Sequence, residues 1–408
     1  MKRIHYAWIV AASGLVMTAV VAGMALNCFS LFVVPITVDL GFSRAEFGVC
    51  QTINALGFAV TALISGWLFK QIPLKRIMQI SSILIVCAYF LYSRLNRLWM
   101  FYLCAMVGSM SASLLTWVPL SVIINNWFVK KRAFAIGFSF MGSGVGGMIF
   151  SSVGSRLIEM IGWRQTFVVM ACVLMLTLVP LVYFVIYVHP KEKGLMPYGY
   201  GGEADQADEG ENSGVSIREA LLDGRFYGII FLVTAFGFAT NGFTATFVPH
   251  FEDSGYSPVR AGTFYSVYML LLAAGKMIMG SLFDRLGARK TTFLGVFLML
   301  VTLISLILCR YPVFIALMLM ASGLGNCYAT VGLPVLARAV YGKRDYVTFT
   351  GILNTAGNIG STLAPALMGL MRDASGTYAI GYSLFAGLIL AGGVCAAVCL
   401  PSREGEKS

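Results

Sequence analysis

The sequence predicts an all-α polytopic membrane protein: twelve transmembrane helices in two six-helix halves related by an internal repeat. Three observations carry that expectation. The 408 residues are 58% hydrophobic and only 12% charged, about half the charge of a soluble domain, and the mean hydropathy is +0.81. The apolar residues gather in runs long enough to cross a bilayer core about 30 Å thick. The second half of the chain also restates the first at a nearly constant offset.

The elements follow in order. Lys2 and Arg3 lead into an apolar run of about 30 residues, longer than the core of a cleaved signal, so an uncleaved first span is expected. Spans are predicted near 6–35, 44–69, 76–94, 98–125, 133–155 and 165–188, then near 226–250, 260–283, 291–310, 312–337, 346–371 and 377–400. HPKEKGLMPYGYGGEADQADEGENSGVSIREALLDG, 189–224, breaks the pattern. Rich in Gly, Glu and Asp, it reads as a cytoplasmic linker, partly disordered. The predicted domains are therefore 1–188, the linker 189–224, 225–400 and a short polar tail 401–408.

Placing both termini in the cytoplasm puts 20 Lys and Arg residues in inside segments and 8 in outside segments. That positive-inside bias sets the expected orientation in a plasma or bacterial inner membrane. The net charge of +11 is thus a topology signal, and no nucleic-acid partner is expected. The nine cysteines fall within apolar spans and read as small packing residues. No CxxC, HExxH, Walker loop or catalytic-triad spacing is present, so neither an enzyme nor a cofactor or metal site is expected. GSGVGG, 142–147, matches a dinucleotide fingerprint, but no strand precedes it; in an apolar helix it reads as small-residue packing. Pro35, Pro119, Pro249 and Pro334 are expected to mark bends.

Sliding the sequence by 214 brings Asn27 onto Asn241, Pro35 onto Pro249, Asp39 onto Asp253, Gly41 onto Gly255, Ser43 onto Ser257, Gly48 onto Gly262 and Gly66 onto Gly280. At 215, Gly108 meets Gly323 and Pro119 meets Pro334. Two parallel six-span repeats place an expected substrate site near the midplane.

Specific motifs then carry a resemblance. GSLFDRLGARK, 280–290, resembles the signature loop of the major facilitator superfamily, with Gly280, Asp284, Arg285, Gly287 and Arg289 in the motif's positions. The first-half copy, GWLFKQIPLKR, keeps Gly66 and the basic end but has Lys70 where an acid is usual. NNWFVKKRAFAIGFSFMGSGVGGMIF (125–150), GWRQTF (162–167) and VPHFEDSGYS (248–257) are similar to the monocarboxylate transporter and oxalate/formate antiporter branch. The resemblance implies the major facilitator fold and secondary transport. It also implies a substrate anion held on helix 8, where that branch usually has arginine and this chain has Lys276.

Lys276 is the only charge buried in a predicted span, the others lying in loops or at span ends; it is roughly 12 Å from the helix end at Asp284. Two readings stand: an anion site, or a lysine snorkelling to the interface. A lysine is a point charge rather than a bidentate fork, and one charge favours a substrate with one carboxylate. A carboxylate arriving beside it favours the protonated amine, so anion and proton would bind together. The branch often has an acid one turn before the helix-8 base, where this chain has Leu272; the exchanger pattern adds a base on helix 11, where this chain has Asn354, Thr355 and Asn358.

His250 is a gate, a proton acceptor or a substrate donor on one reading, and an interfacial histidine on the other. Trp117 lies mid-helix, away from the aromatic belts; it walls a cavity or packs the core. Asn27, Asn241, Asn326, Tyr328, Tyr265 and Tyr268 are weaker pocket candidates, since polar groups in spans more often bridge helices. The expected function is alternating-access transport of a small organic anion, a monocarboxylate carried with a proton, by a monomer. The alternatives are anion exchange, export of neutral or amphipathic compounds, and a transport-inactive sensor on the same fold.

Overall fold

The computed structural model describes residues 5–24, 28–200 and 214–400. The chain divides into two compact units, Met1–Gly202 and Glu203–Ser408.

In the first unit the helices are α1 (Tyr6–Ala22), α2 (Val33–Leu40), α3 (Arg44–Gln71), α4 (Leu74–Tyr92), α5 (Leu98–Ser113), α6 (Trp117–Trp127) and α7 (Arg132–Pro180). In the second they are α8 (Ile217–Leu222), α9 (Gly224–Asp253), α10 (Pro258–Ile307), α11 (Pro312–Cys327), α12 (Leu333–Tyr341), α13 (Tyr346–Ser375) and α14 (Ala379–Cys399). Eight stretches among the described residues are long and apolar enough to cross a membrane. Two of them, 132–185 and 260–307, have 54 and 48 residues. At 1.5 Å per residue each exceeds about 70 Å, so each holds two crossings. Backbone turns at Gly162 (φ 78°, ψ 164°) and Gly287 (φ 78°, ψ 171°) separate them. With the shorter apolar α1 and the more polar α13, the crossings number twelve, as predicted. Exposed Leu176, Phe184 and Val398 present the outward apolar surface that lipid requires.

The repeat extends to backbone and packing. Gly41 and Gly255, 214 apart, both take positive φ, as do Gly162 and Gly376. Ser43 and Ser257, which follow the first pair, cap α3 and α10 through their hydroxyls. Asp39 pairs with Arg164 at 3.5 Å, and Asp253 pairs with Arg372 at 2.9 Å. Each unit therefore closes an Asp–Arg pair at its predicted outer end.

Helix α1 packs on α7, and α9 packs on α13 and α14. At Gly142 and Gly146 a Cβ would run into the carbonyls of Leu15 and Ala19. The 142–147 stretch is thus a close helix contact, and only glycine allows it. The repeat-related Gly360 meets the Thr234 carbonyl of α9 in the same way, and a Cβ at Gly237 of α9 would run into the Gly357 carbonyl.

Two predicted bends are breaks. The fourth crossing stops at Ser113 and restarts at Trp117, with Thr116 at φ −111°, ψ −110°. The tenth widens into a π turn over Tyr328–Gly332 before α12. Pro119 and Pro334 lie just beyond these interruptions; a proline has no N–H for the carbonyl four residues back, so the ladder opens there. Helix α9 runs through Pro249 without interruption, contrary to the pattern at Pro119 and Pro334.

The flanks of the 189–224 segment are ordered against their own units. Tyr198 N–H donates to Trp127 O at 2.7 Å, and Val215 N–H donates to Tyr341 O at 3.1 Å. Trp127 and Tyr341 are themselves 214 apart. Predicted disorder within 201–213 lies outside the described residues.

Candidate functional site

Lys276 is 4% exposed, and among the buried described residues it is the only Lys, Arg, Asp or Glu. Its neighbour Gly275 explains how it is held. A Cβ there would press on Gly323 O and lie 2.9 Å from Cys327 Sγ. Helices α10 and α11 therefore meet backbone to backbone beside Lys276. The Cys327 thiol sits 2.8 Å from Gly323 O and 3.2 Å from Leu272 O. An ammonium at this depth is costly on insertion scales, about 2.5–3.5 kcal/mol at a helix centre. The near-complete burial of the side chain disfavours the snorkelling alternative.

One residue before Cys327, Asn326 is 5% exposed. Its Nδ2 donates to Tyr268 Oη at 2.9 Å. The Thr244 hydroxyl of α9 donates to Thr240 O at 2.7 Å. Asn326 Oδ1 is buried and has no hydrogen-bond partner.

The other predicted residues separate into distinct surroundings. Tyr265 is half-buried, its ring 5.8 Å from that of Tyr268 and 5.3 Å from that of Phe247. It belongs to the same α10 stripe. Tyr328 is committed elsewhere: its hydroxyl lies 2.9 Å from Thr292 Oγ1 and its ring packs on Phe236 and Phe283. Asn241 bridges α9 to α13 through Ser361 O. His250 is 6% exposed. Its Nε2 donates to Leu306 O at 2.9 Å, and its ring packs edge-on against Tyr382. These contacts tie three crossings together at the predicted outer end. Trp117 opens α6 directly after the break, with its ring 4.9 Å from Phe140. It stands at a helix start rather than mid-helix. Asn27 lies outside the described residues.

The loop motif is built around Gly287, whose ψ near 171° at positive φ is open to glycine alone. Thr291 donates across the turn to Leu282 O at 3.1 Å, and Arg289 reaches Ala397 O at 3.4 Å. Gly280 is buried, whereas Asp284 and Arg285 are exposed. These residues shape the turn at Gly287 that follows the helix carrying Lys276.

Sequence reasoning did not single out Cys327. A signal was present: Gly323 and Cys327, four apart, form a small-residue face opposite Gly275.

Twelve helical crossings in two repeat-related units, with one buried lysine, define a polytopic membrane transport protein. The sequence profile of the Major Facilitator Superfamily matches residues 15–266 and 228–408. The chain belongs to that superfamily, and it is an integral membrane transporter rather than an enzyme. Bovine monocarboxylate transporter 13 is 23% identical over 402 residues, covering 95% of this chain and 88% of its own length. The monocarboxylate branch is where the whole-length resemblance falls. The uncharacterized transporter ESBP6 of Saccharomyces cerevisiae is 30% identical over 125 residues, 30% of this chain, and that match spans only 18% of the yeast protein. Among solved structures, the proton:xylose symporter XylE aligns at TM-score 0.74 and 14% identity, over 97% of this chain and 95% of XylE. That likeness establishes the fold.

Proposed function

We propose that this chain moves small organic anions across the membrane by alternating access, binding a monocarboxylate at Lys276 and carrying a proton with it. The observation that carries the reading is the burial of Lys276 where α10 and α11 touch at glycines. A single cation there complements one carboxylate. Two similar proteins support the cargo and the coupling: bovine monocarboxylate transporter 13 and the proton:xylose symporter XylE. The setting is a plasma or bacterial inner membrane, with both termini cytoplasmic and the chain acting as a monomer. The 189–224 segment joins the two six-helix halves.

The test is uptake of radiolabelled lactate into proteoliposomes under an inward proton gradient, with formate, pyruvate and oxalate as competitors and Lys276→Ala in parallel. Gradient-driven uptake that vanishes in the variant supports the reading. Uptake driven by preloaded anion but indifferent to the gradient replaces symport with exchange. No uptake and no competition by any acid refutes the anion site and favours export of neutral compounds.

A further inference from the structure

Where the sixth crossing ends, two lysines converge on one aromatic ring. The crossing closes in a π turn over Leu181–Val185. Three side chains hold the backbone at and just beyond that turn. Tyr6 Oη donates to Val185 O at 2.8 Å, Trp127 Nε1 to Tyr187 O at 2.7 Å and Asn126 Nδ2 to Val188 O at 3.2 Å. The Tyr6 ring lies 5.3 Å from that of Trp127 and 6.2 Å from that of Tyr187. Lys75 Nζ stands 4.3 Å from the centre of the Tyr187 ring. Lys193 Nζ stands 4.8 Å from the same ring and 4.1 Å from that of Tyr6. The lysines come from distant stretches, the start of α4 and the turn that follows His189.

Like charges gathered this way repel, and a ring face at an exposed site offsets only part of that repulsion. Among the described residues neither lysine has a carboxylate partner. Glu192, next to Lys193, is engaged elsewhere: its Oε1 accepts from the His189 N–H at 2.9 Å. Phe184, three residues before Tyr187, is 75% exposed. A ring so exposed at the end of a crossing faces lipid, so Tyr187 stands where acyl chains give way to headgroups. The side is the predicted cytoplasmic one, whose leaflet carries anionic headgroups.

We propose that Tyr6, Lys75, Tyr187 and Lys193 bind the phosphodiester of an anionic phospholipid in the cytoplasmic leaflet. The phosphate lies between the two ammoniums and accepts from both, while the fixed rings keep the lysines together. Phosphatidylcholine would bring a third cation to the pair. A soluble phosphate would gain nothing from the apolar surface of Phe184 and of Met196, which is 62% exposed. The bound lipid ties the turn after His189 to α4. The site is independent of the anion reading at Lys276.

The experiment is native mass spectrometry of the purified full-length protein in detergent micelles, titrated with phosphatidylglycerol and phosphatidylcholine of the same acyl chains. Each lysine near an anionic headgroup contributes about fivefold in affinity, so wild type should bind the first phosphatidylglycerol about 25-fold more tightly than phosphatidylcholine. In Lys75→Gln/Lys193→Gln the ratio should fall to about one with phosphatidylcholine binding unchanged. Either single variant should lose about fivefold, a readout that remains if the double variant does not fold. Arg218→Gln/Lys290→Gln removes two exposed charges from the other unit and should leave the ratio as in wild type. Thermal unfolding should show a midpoint raised by phosphatidylglycerol and not by inorganic phosphate. Equal binding of the two lipids by wild type overturns the inference, as does a preference that survives Lys75→Gln/Lys193→Gln. A preference lost equally in Arg218→Gln/Lys290→Gln assigns the effect to surface charge at large and also overturns it. Inorganic phosphate that raises the midpoint as much as phosphatidylglycerol overturns the lipid assignment in favour of a soluble phosphate.

Discussion

Replacing His250 with alanine distinguishes a structural latch from a proton or substrate site. The imidazole is 6% exposed, donates through Nε2 to Leu306 O at 2.9 Å, and meets the Tyr382 ring edge-on with centroids 4.9 Å apart. Its removal takes one of two donors from Leu306 O, which keeps the Cys309 N–H at 3.2 Å, costing about 0.5–1.5 kcal/mol. The lost ring pair adds about 0.5–1.5 kcal/mol. A loss of about 1–3 kcal/mol is expected after partial collapse of the space. His250→Gln retains a donor and should lose less than half as much. Thermal unfolding of purified protein in detergent reads the stability, and proteoliposome uptake reads the apparent substrate affinity. The latch account expects a lower unfolding midpoint with affinity changed less than about threefold, since the residue acts through folding. A variant as stable as wild type, with transport abolished or its pH profile displaced, would refute this reasoning and put His250 on the proton or substrate path.

Two further outcomes check other parts of the structure. Gly287→Ala must place a side chain at φ 78°, ψ 171°; it should destabilise the protein by about 1–3 kcal/mol and lower its thermal midpoint without altering anion affinity. Thr292→Val removes the partner 2.9 Å from the buried Tyr328 hydroxyl; a loss of about 1–3 kcal/mol with unchanged substrate affinity is expected, and an affinity change in calorimetry would return Tyr328 to the pocket.

The crossings were legible because apolar run length is a strong, local signal, and the units because glycines, prolines and aspartates recur 214 apart. Lys276 was legible for the same reason: a charge in an apolar run stands out whatever its neighbours are. What the sequence could not supply was partnership. Asp39 and Asp253 were visible as repeat mates, but their arginines, Arg164 and Arg372, are not 214 apart, so no offset finds them. Tyr328 and Asn326 looked alike as polar residues on one helix, two positions apart. The structure sends one to Thr292 and leaves the other with an open acceptor. That difference depends on which helix faces each side chain, and a π turn beginning at Tyr328 shifts the helical register just there. His250 allowed two readings, a titrating group or an interfacial residue, and its contacts with Leu306 O and the Tyr382 ring were visible in neither.

The interruptions ahead of Pro119 and Pro334 have a consequence for motion inside each unit. A continuous helix bends gently, because every turn is braced by the next. The fourth and tenth crossings are each two short rods joined by a few residues whose ladder is already open. Bending at those joints breaks fewer bonds than bending anywhere else along the crossing. Amide exchange should therefore run fastest there among the membrane-embedded residues of those two helices. Trp117, the first residue after one joint, is placed to report that flexing through its own fluorescence.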